Sequence, residues 1–151
     1  MSLSNTLKID SNNIRIRTFE ISGQTLRVKI PLVSEMEAMN KRVESAEWKT
    51  KYDEFAKPLL EKKKSLESEK IEYKDDDIVI DGKSIKETAI MAAQTNARIV
   101  EMFKLLVPVN GDLSNLTYEE IEAEFPFSVQ LDISKKIAEV ISPGYEETRK
   151  N

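Results

Sequence analysis

Residues 84–107 read SIKETAIMAAQTNARIVEMFKLLV, and this stretch decides the fold. Ser84-Ile85-Lys86-Glu87 has the form of a capping box. In such a box the serine hydroxyl accepts from the third amide and the glutamate reaches back to the cap. Behind it, Ala89, Ile90, Ala92, Ala93, Ala97, Val100, Phe103, Leu106 and Val107 cover much of a helical circumference. A helix that is apolar nearly all round belongs at the centre of a fold. The spacing predicts a central buried helix from about Ile85 to Val107, ended by Pro108, with a turn at Asn110-Gly111-Asp112.

Downstream, Thr117-Tyr118-Glu119-Glu120 is a second box of the same form and opens a short helix to about Glu124. Pro126 marks the start of a last helix, Phe127 to Ile141. There Phe127, Leu131, Ala138 and Ile141 lie on one side, with Val129, Ile133, Ile137 and Val140 beside them. Ser142-Pro143-Gly144 stops that helix.

Upstream, the pattern is first period-two. Ile14 and Ile16 alternate with Arg15 and Arg17; Phe19 and Ile21 follow; after Ser22-Gly23-Gln24, Leu26, Val28 and Ile30 alternate with Arg27 and Lys29. This predicts a hairpin closed by Pro31, with a bulge where the apolar parity shifts between Ile16 and Phe19. Ser34-Glu35-Met36-Glu37 reads as another capping box, opening a long amphipathic helix. Met36, Met39, Val43 and Ala46 form its first apolar stripe; Trp48, Tyr52, Phe55 and Leu59 form a second, rotated one. Pro58 is tolerable there only as a kink or as the first turn of a new helix. From Leu59 to Lys70 the chain is mostly charge, including Lys62-Lys63-Lys64 flanked by Glu61, Glu67 and Glu69, and reads as a solvated or mobile helix. Ile71, Tyr73 and Ile78 to Ile80, around Asp75-Asp76-Asp77 and ended by Asp81-Gly82, predict a small second hairpin.

The expected fold class is therefore α+β and predominantly α-helical. It comprises an N-terminal β-hairpin, a long amphipathic helix, a small second hairpin, a central buried helix and C-terminal helices. At 151 residues the chain has the length of one domain. The expected organisation is a flexible leader at 1–13, a single α+β domain at 14–142 and a polar tail at 143–151. Met1-Ser2-Leu3 is compatible with a cloning remnant.

The chain has neither cysteine nor histidine. That removes the Ser-His-Asp triad, the Cys-His dyad, His-based zinc sites and disulfide-stapled secreted folds. Four glycines and no GxxxxGK[ST] or GxGxxG turn weigh against a phosphate cradle. Asp and Glu outnumber Lys and Arg by 27 to 23, a balance that disfavours general nucleic-acid binding. No apolar run is long enough to span a membrane, and the N-terminus lacks a signal-peptide core. The expected location is the cytoplasm of the cell that makes the protein.

Three clusters admit chemistry beside a plainer reading. Asp75, Asp76, Asp77 and Asp81 suit a hard cation, or form a solvated acidic turn; the EF-hand spacing is missing. Glu119, Glu120, Glu122 and Glu124 offer carboxylates for glycoside hydrolysis, or complement a helix dipole. Arg15, Arg17, Arg27 and Lys29 suit nucleic acid or an acidic protein face, or guard the wet side of a ribbon. The stronger interaction candidates lie on the long helix. Met36 and Met39 supply adaptable apolar surface; Trp48, Tyr52 and Phe55 form a second stripe, in which Trp and Tyr are types enriched at binding hot spots; packing into the core is the competing reading for each. No catalytic residue, metal or cofactor is expected.

The segment Ile121-Glu122-Ala123-Glu124-Phe125-Pro126-Phe127-Ser128-Val129-Gln130-Leu131, running into Ile137-Ala138-Glu139-Val140-Ile141-Ser142-Pro143, resembles tail assembly chaperones of long-tailed, non-contractile bacteriophages. The hairpin followed at once by a helix, Phe19 to Met39, is similar to the same group. The resemblance implies a non-catalytic, helix-rich protein that binds the aggregation-prone tape measure protein and recruits tail tube subunits. It implies self-association, residence in the host cytoplasm and absence from the mature virion. Many such proteins are made in two lengths by a frameshift; this chain would be the short form, with Tyr145 to Asn151 near the slip point. The rival readings are a nucleic-acid-binding regulator using the arginine-bearing hairpin, which a salt titration of DNA binding separates, and a carboxylate-based hydrolase or metal enzyme, whose metal version a calorimetric titration with Mg²⁺ and Ca²⁺ tests.

Overall fold

The structure, a computed structural model, describes residues 2–62 and 71–142. The fold is mixed α+β, 57% helical and 16% strand, so helix predominates as the patterning requires. The chain divides into two compact units: Met1–Asn40 with Ile99–Asn151, and Lys41–Arg98.

The first unit opens with two short helices, α1 (Leu3–Leu7) and α2 (Ser11–Ile14). Ser2 caps α1 and the Asp10 carboxylate caps α2. Strands β1 (Ile16–Ile21) and β2 (Gln24–Lys29) then form an antiparallel hairpin. Its two-residue loop holds Ser22 at φ 50° and Gly23 at φ 77°, the two positive angles that a type I′ turn needs. The expected bulge is absent: pairing runs unbroken from Ile16 opposite Lys29 to Ile21 opposite Gln24. The parity shift has another cause. Ile14 closes α2 and never joins the strand, so Ile16 alone faces away from Phe19 and Ile21.

On its other side β2 receives the chain leaving the central helix. The Lys29 amide donates to the Leu105 carbonyl (2.9 Å), and the Val107 amide to the Arg27 carbonyl (2.8 Å). Among the described residues no strand lies beyond β1. Arg17 sits at that open edge, with Nη1 donating to the Ile14 and Ile16 carbonyls (2.9 and 3.3 Å).

The core of this unit gathers Val28, Ile99, Phe103, Ile121, Ile133 and Ile137, with Phe103 and Phe125 meeting edge to face at 5.9 Å. Helix α6 (Tyr118–Glu124) begins as its capping box predicts, the Thr117 hydroxyl accepting from the Glu120 amide. Helix α7 (Phe127–Ile141) matches its expected bounds and packs on β1 and β2. Of its two apolar groups, the one with Ile133 and Ile137 is buried, joined by Gln130, while Phe127 (51% exposed) and Leu131 (44%) face out. The buried glutamine is satisfied at both ends, which is what makes burying it affordable.

The long amphipathic helix is present as two helical lengths, α3 (Val33–Glu44) and α4 (Lys49–Lys62), with a break at residues 45–48. Helix α3 starts at Val33, two residues ahead of the start that the Ser34 box indicates. Glu35, not Glu37, reaches back, its carboxylate accepting from the Leu32 amide (2.9 Å) and pairing with Arg15. The Leu32 amide, helped by the Arg15 guanidinium, holds the Glu35 carboxyl below its ordinary range. At the break, Ser45 folds its hydroxyl back onto the Lys41 carbonyl. Glu47 then accepts from the Thr50 amide (3.0 Å) to start the next helix. Pro58 lies inside α4, so the Glu54 carbonyl lacks its usual i+4 donor.

The second unit holds α4, strands β3 (Ile71–Tyr73), β4 (Ile78–Ile80) and β5 (Lys83–Ser84), and the start of the central helix α5 (Ile85–Phe103). The second hairpin forms as expected and gains a third short strand through the Asp81-Gly82 turn, again with two positive φ angles. Ser84 caps α5 through the Glu87 amide (3.0 Å). Ala89 and Ala93 of α5 are buried in this unit, and Ile99 and Phe103 serve the core of the other. The helix stops at Phe103 rather than Val107, because Leu105 to Val107 spend their backbone groups on β2. The tail from Pro143 and most of the charged run after Leu59, including Lys63, Lys64, Glu67 and Glu69, lie outside the described residues.

Candidate protein-binding site

One face of α4 carries Tyr52, Ala56 and Leu60 at four-residue spacing. Opposite it stand Tyr73 and Ile78 of the second hairpin, and between them lies a cleft of about 880 Å³. Ala56 (3% exposed) and Ile78 (4%) are buried, while Leu60 is half exposed at its lip. The rim carries both signs of charge, with Lys57 and Lys74 beside Asp53 and Asp75. The Tyr73 hydroxyl donates to the Leu59 carbonyl (3.0 Å), tying hairpin to helix. Burial, seconded by the Asp77, Asp76 and Asp53 carboxylates, pushes the Tyr52 hydroxyl above its ordinary pKa, so it stays a neutral donor. An apolar floor with a mixed-charge rim suits apolar side chains of a polypeptide.

At one end of α4 is an aromatic cluster. Trp48 and Tyr52 meet edge to face with centroids 6.2 Å apart, and the Lys86 ammonium lies 5.3 Å from the Trp48 ring centre. Asp77 anchors the neighbourhood. It accepts from the Ile78 and Lys86 amides (both 2.8 Å) and from the Ser84 hydroxyl, and so caps α5 beside the serine. Burial raises the Asp77 pKa, but the Ser84 hydroxyl and the two amides together outweigh it, and the net displacement is downward.

The five residues singled out for partner binding are distributed unevenly. Trp48 and Tyr52 are in contact, and Tyr52 lines the cleft. Phe55 is half buried on α4, Met36 is half buried on α3, and Met39 is buried at 5% exposure. Met36 and Met39 belong to the first unit, Trp48, Tyr52 and Phe55 to the second. Ala56, Leu60 and Tyr73 were not among the expected site residues; the i, i+4, i+8 run of Tyr52, Ala56 and Leu60 is the signal that points to them.

The charged clusters resolve into local roles. Asp77 spends its oxygens on the α5 cap, Asp76 lies 3.9 Å from Lys86, and among the described residues no three acidic side chains converge as a cation site. Glu119, Glu120, Glu122 and Glu124 are all exposed, and Glu120 accepts from the Thr117 hydroxyl. The hairpin cations do not share a face. Arg15 donates to the Ile30 carbonyl and to Glu35, Arg17 turns to its own edge, and Arg27 and Lys29 lie on the strand face opposite Val28. No helix among the described residues is long and apolar enough to cross a membrane. Comparison of the chain with family models, with curated proteins and with solved structures gives no match.

Proposed function

We propose that this chain is a phage tail assembly chaperone. It binds and solubilises the tape measure protein and helps recruit tail tube subunits during tail morphogenesis. The observation that carries the reading is the α4–hairpin cleft, an apolar trough open at Leu60 and framed by Tyr52 and Tyr73. A long helical client offers repeated apolar side chains, and many weak engagements along it add up through avidity. The family resemblance over residues 121–131 and 137–143 suggests the client, and an apolar trough of this kind supports that reading. On this reading the protein acts in the host cytoplasm and leaves before the virion is complete.

Co-expression with a tape measure protein tests this directly. The client should move from the insoluble to the soluble fraction and co-purify with this chain. A client equally insoluble with and without the chain overturns the reading.

A further inference from the structure

Helix α7 leaves Phe127, Leu131 and Ala138 uncovered along one flank, interrupted by Ser134, whose hydroxyl oxygen is buried. Phe127, Leu131, Ser134 and Ala138 follow one another at spacings of four, three and four residues, which aligns them along one flank of the helix. Phe127 is 51% and Leu131 44% exposed, Ala138 is exposed, and Ser134 is half buried. The stripe borders the face that Gln130, Ile133 and Ile137 bury. Its two large residues occupy the N-terminal half and its two small ones the C-terminal half. Asp132 and Lys135, both exposed, stand on the same solvent flank of the stripe.

We propose that α7 pairs with α7 of a second copy of this chain, antiparallel, about a two-fold axis between Asp132 and Ile133. Only reversal brings large against small. In that register Leu131 lies over the second copy's Ser134 and Phe127 over its Ala138, and each layer occurs twice because the interface is isologous. A parallel arrangement sets Phe127 against Phe127 and Ser134 against Ser134, with crowding at one end and a void at the other. The antiparallel register also sets Lys135 on the side of the second copy's Asp132, opposite charges on a solvated rim. The inference stands on α7 alone and does not depend on the tail-assembly reading.

The natural absence of cysteine makes the test direct. The full chain carrying both Phe127→Cys and Ala138→Cys should form a covalent dimer on mild oxidation, while either single variant should not. At a rise of about 1.5 Å per residue, the two copies of position 127 stand about 16 Å apart in this register, beyond disulfide reach. Sedimentation equilibrium of the unmodified chain should show a dimer in the micromolar range, and Leu131→Glu should weaken it by at least about tenfold. Asp132→Lys should weaken it about fivefold, with Lys135→Glu added to the same chain restoring it. A chain that stays monomeric, a dimer indifferent to Leu131→Glu, or covalent dimers from Phe127→Cys alone would each overturn the proposal. So would a monomer whose Leu131→Glu form loses client solubilisation, since the stripe would then serve the client. The dimer is measured on the purified chain without client, so its failure is distinct from failure in co-expression.

Discussion

The Tyr118 hydroxyl donates to Gln130 Oε1 at 2.9 Å, joining the first turn of α6 to the inward face of α7. Gln130 Nε2 in turn donates to the Phe125 carbonyl at 2.7 Å, where α6 ends. One side chain, 1% exposed, thus holds both ends of the short helix. Tyr118→Phe should cost about 1 kcal/mol, the usual net value of one such bond. Gln130→Ala removes both bonds and leaves a void, and should cost about 3 kcal/mol. Urea denaturation of the two variants checks the ordering; equal losses would mean that the tyrosine bond carries the whole effect.

Asp77 predicts a dependence on acidity. Its folded pKa lies below its ordinary value, so the unfolded chain binds the proton more readily. The stability it contributes is complete above the unfolded value of about 4 and is lost as pH falls through the lower, folded value. Asp77→Asn should lower stability at neutral pH by about 1 kcal/mol, as for a lost helix cap. The gap between variant and parent should narrow below about pH 4, read from thermal melts across an acid series.

The first hairpin turn is built on positive φ at both Ser22 and Gly23. Apart from its chain neighbours nothing lies within 4 Å of where a Gly23 Cβ would sit, so replacement there is a matter of backbone strain and not of collision. Gly23→Ala should destabilise by about 1–2 kcal/mol. Ser22→Asn should stabilise by about 0.5 kcal/mol, because asparagine tolerates the left-handed region that serine enters at a cost. Opposite signs in the two melting shifts are the expected result.

Leu60 allows the proposed cleft to be tested apart from folding. It is 52% exposed at the cleft lip, so Leu60→Glu should leave stability within about 0.5 kcal/mol of the parent. If the proposed chaperone reading holds, the same change should reduce the soluble yield of a co-expressed tape measure protein about fivefold. An unchanged client yield would move the client site away from this cleft.

Much of the architecture was legible because its signals are short-ranged. The boxes at Ser84 and Thr117, the Asp81-Gly82 turn and Pro126 each act within one helical turn, and the elements begin where they indicate. The discrepancies arise where a distant group intervenes. Glu35 is drawn to Leu32 while Arg15 holds it from another element, which shifts the start of α3. The break at residues 45–48 was present as a rotation of the apolar stripe, yet Glu47 is not a residue type that marks a cap. Gln130 is a polar residue with no burial signal of its own in the sequence, and its burial depends on two partners that only the fold brings near. The cleft was half visible: Tyr52 was legible as a candidate, whereas Tyr73 and Ile78 reach it only through the hairpin.

The open side of β1 has a consequence for the behaviour of concentrated samples. Because the Lys29 amide turns toward Leu105, the opposing Ile16 must aim its backbone groups outward, at the unpaired margin. Arg17 lays its guanidinium on that carbonyl and occupies the acceptor an incoming chain would need to stack upon. Arg17 thereby masks one acceptor of the edge that is open among the described residues, and Arg17→Ala should raise the rate at which concentrated samples form thioflavin-positive aggregates.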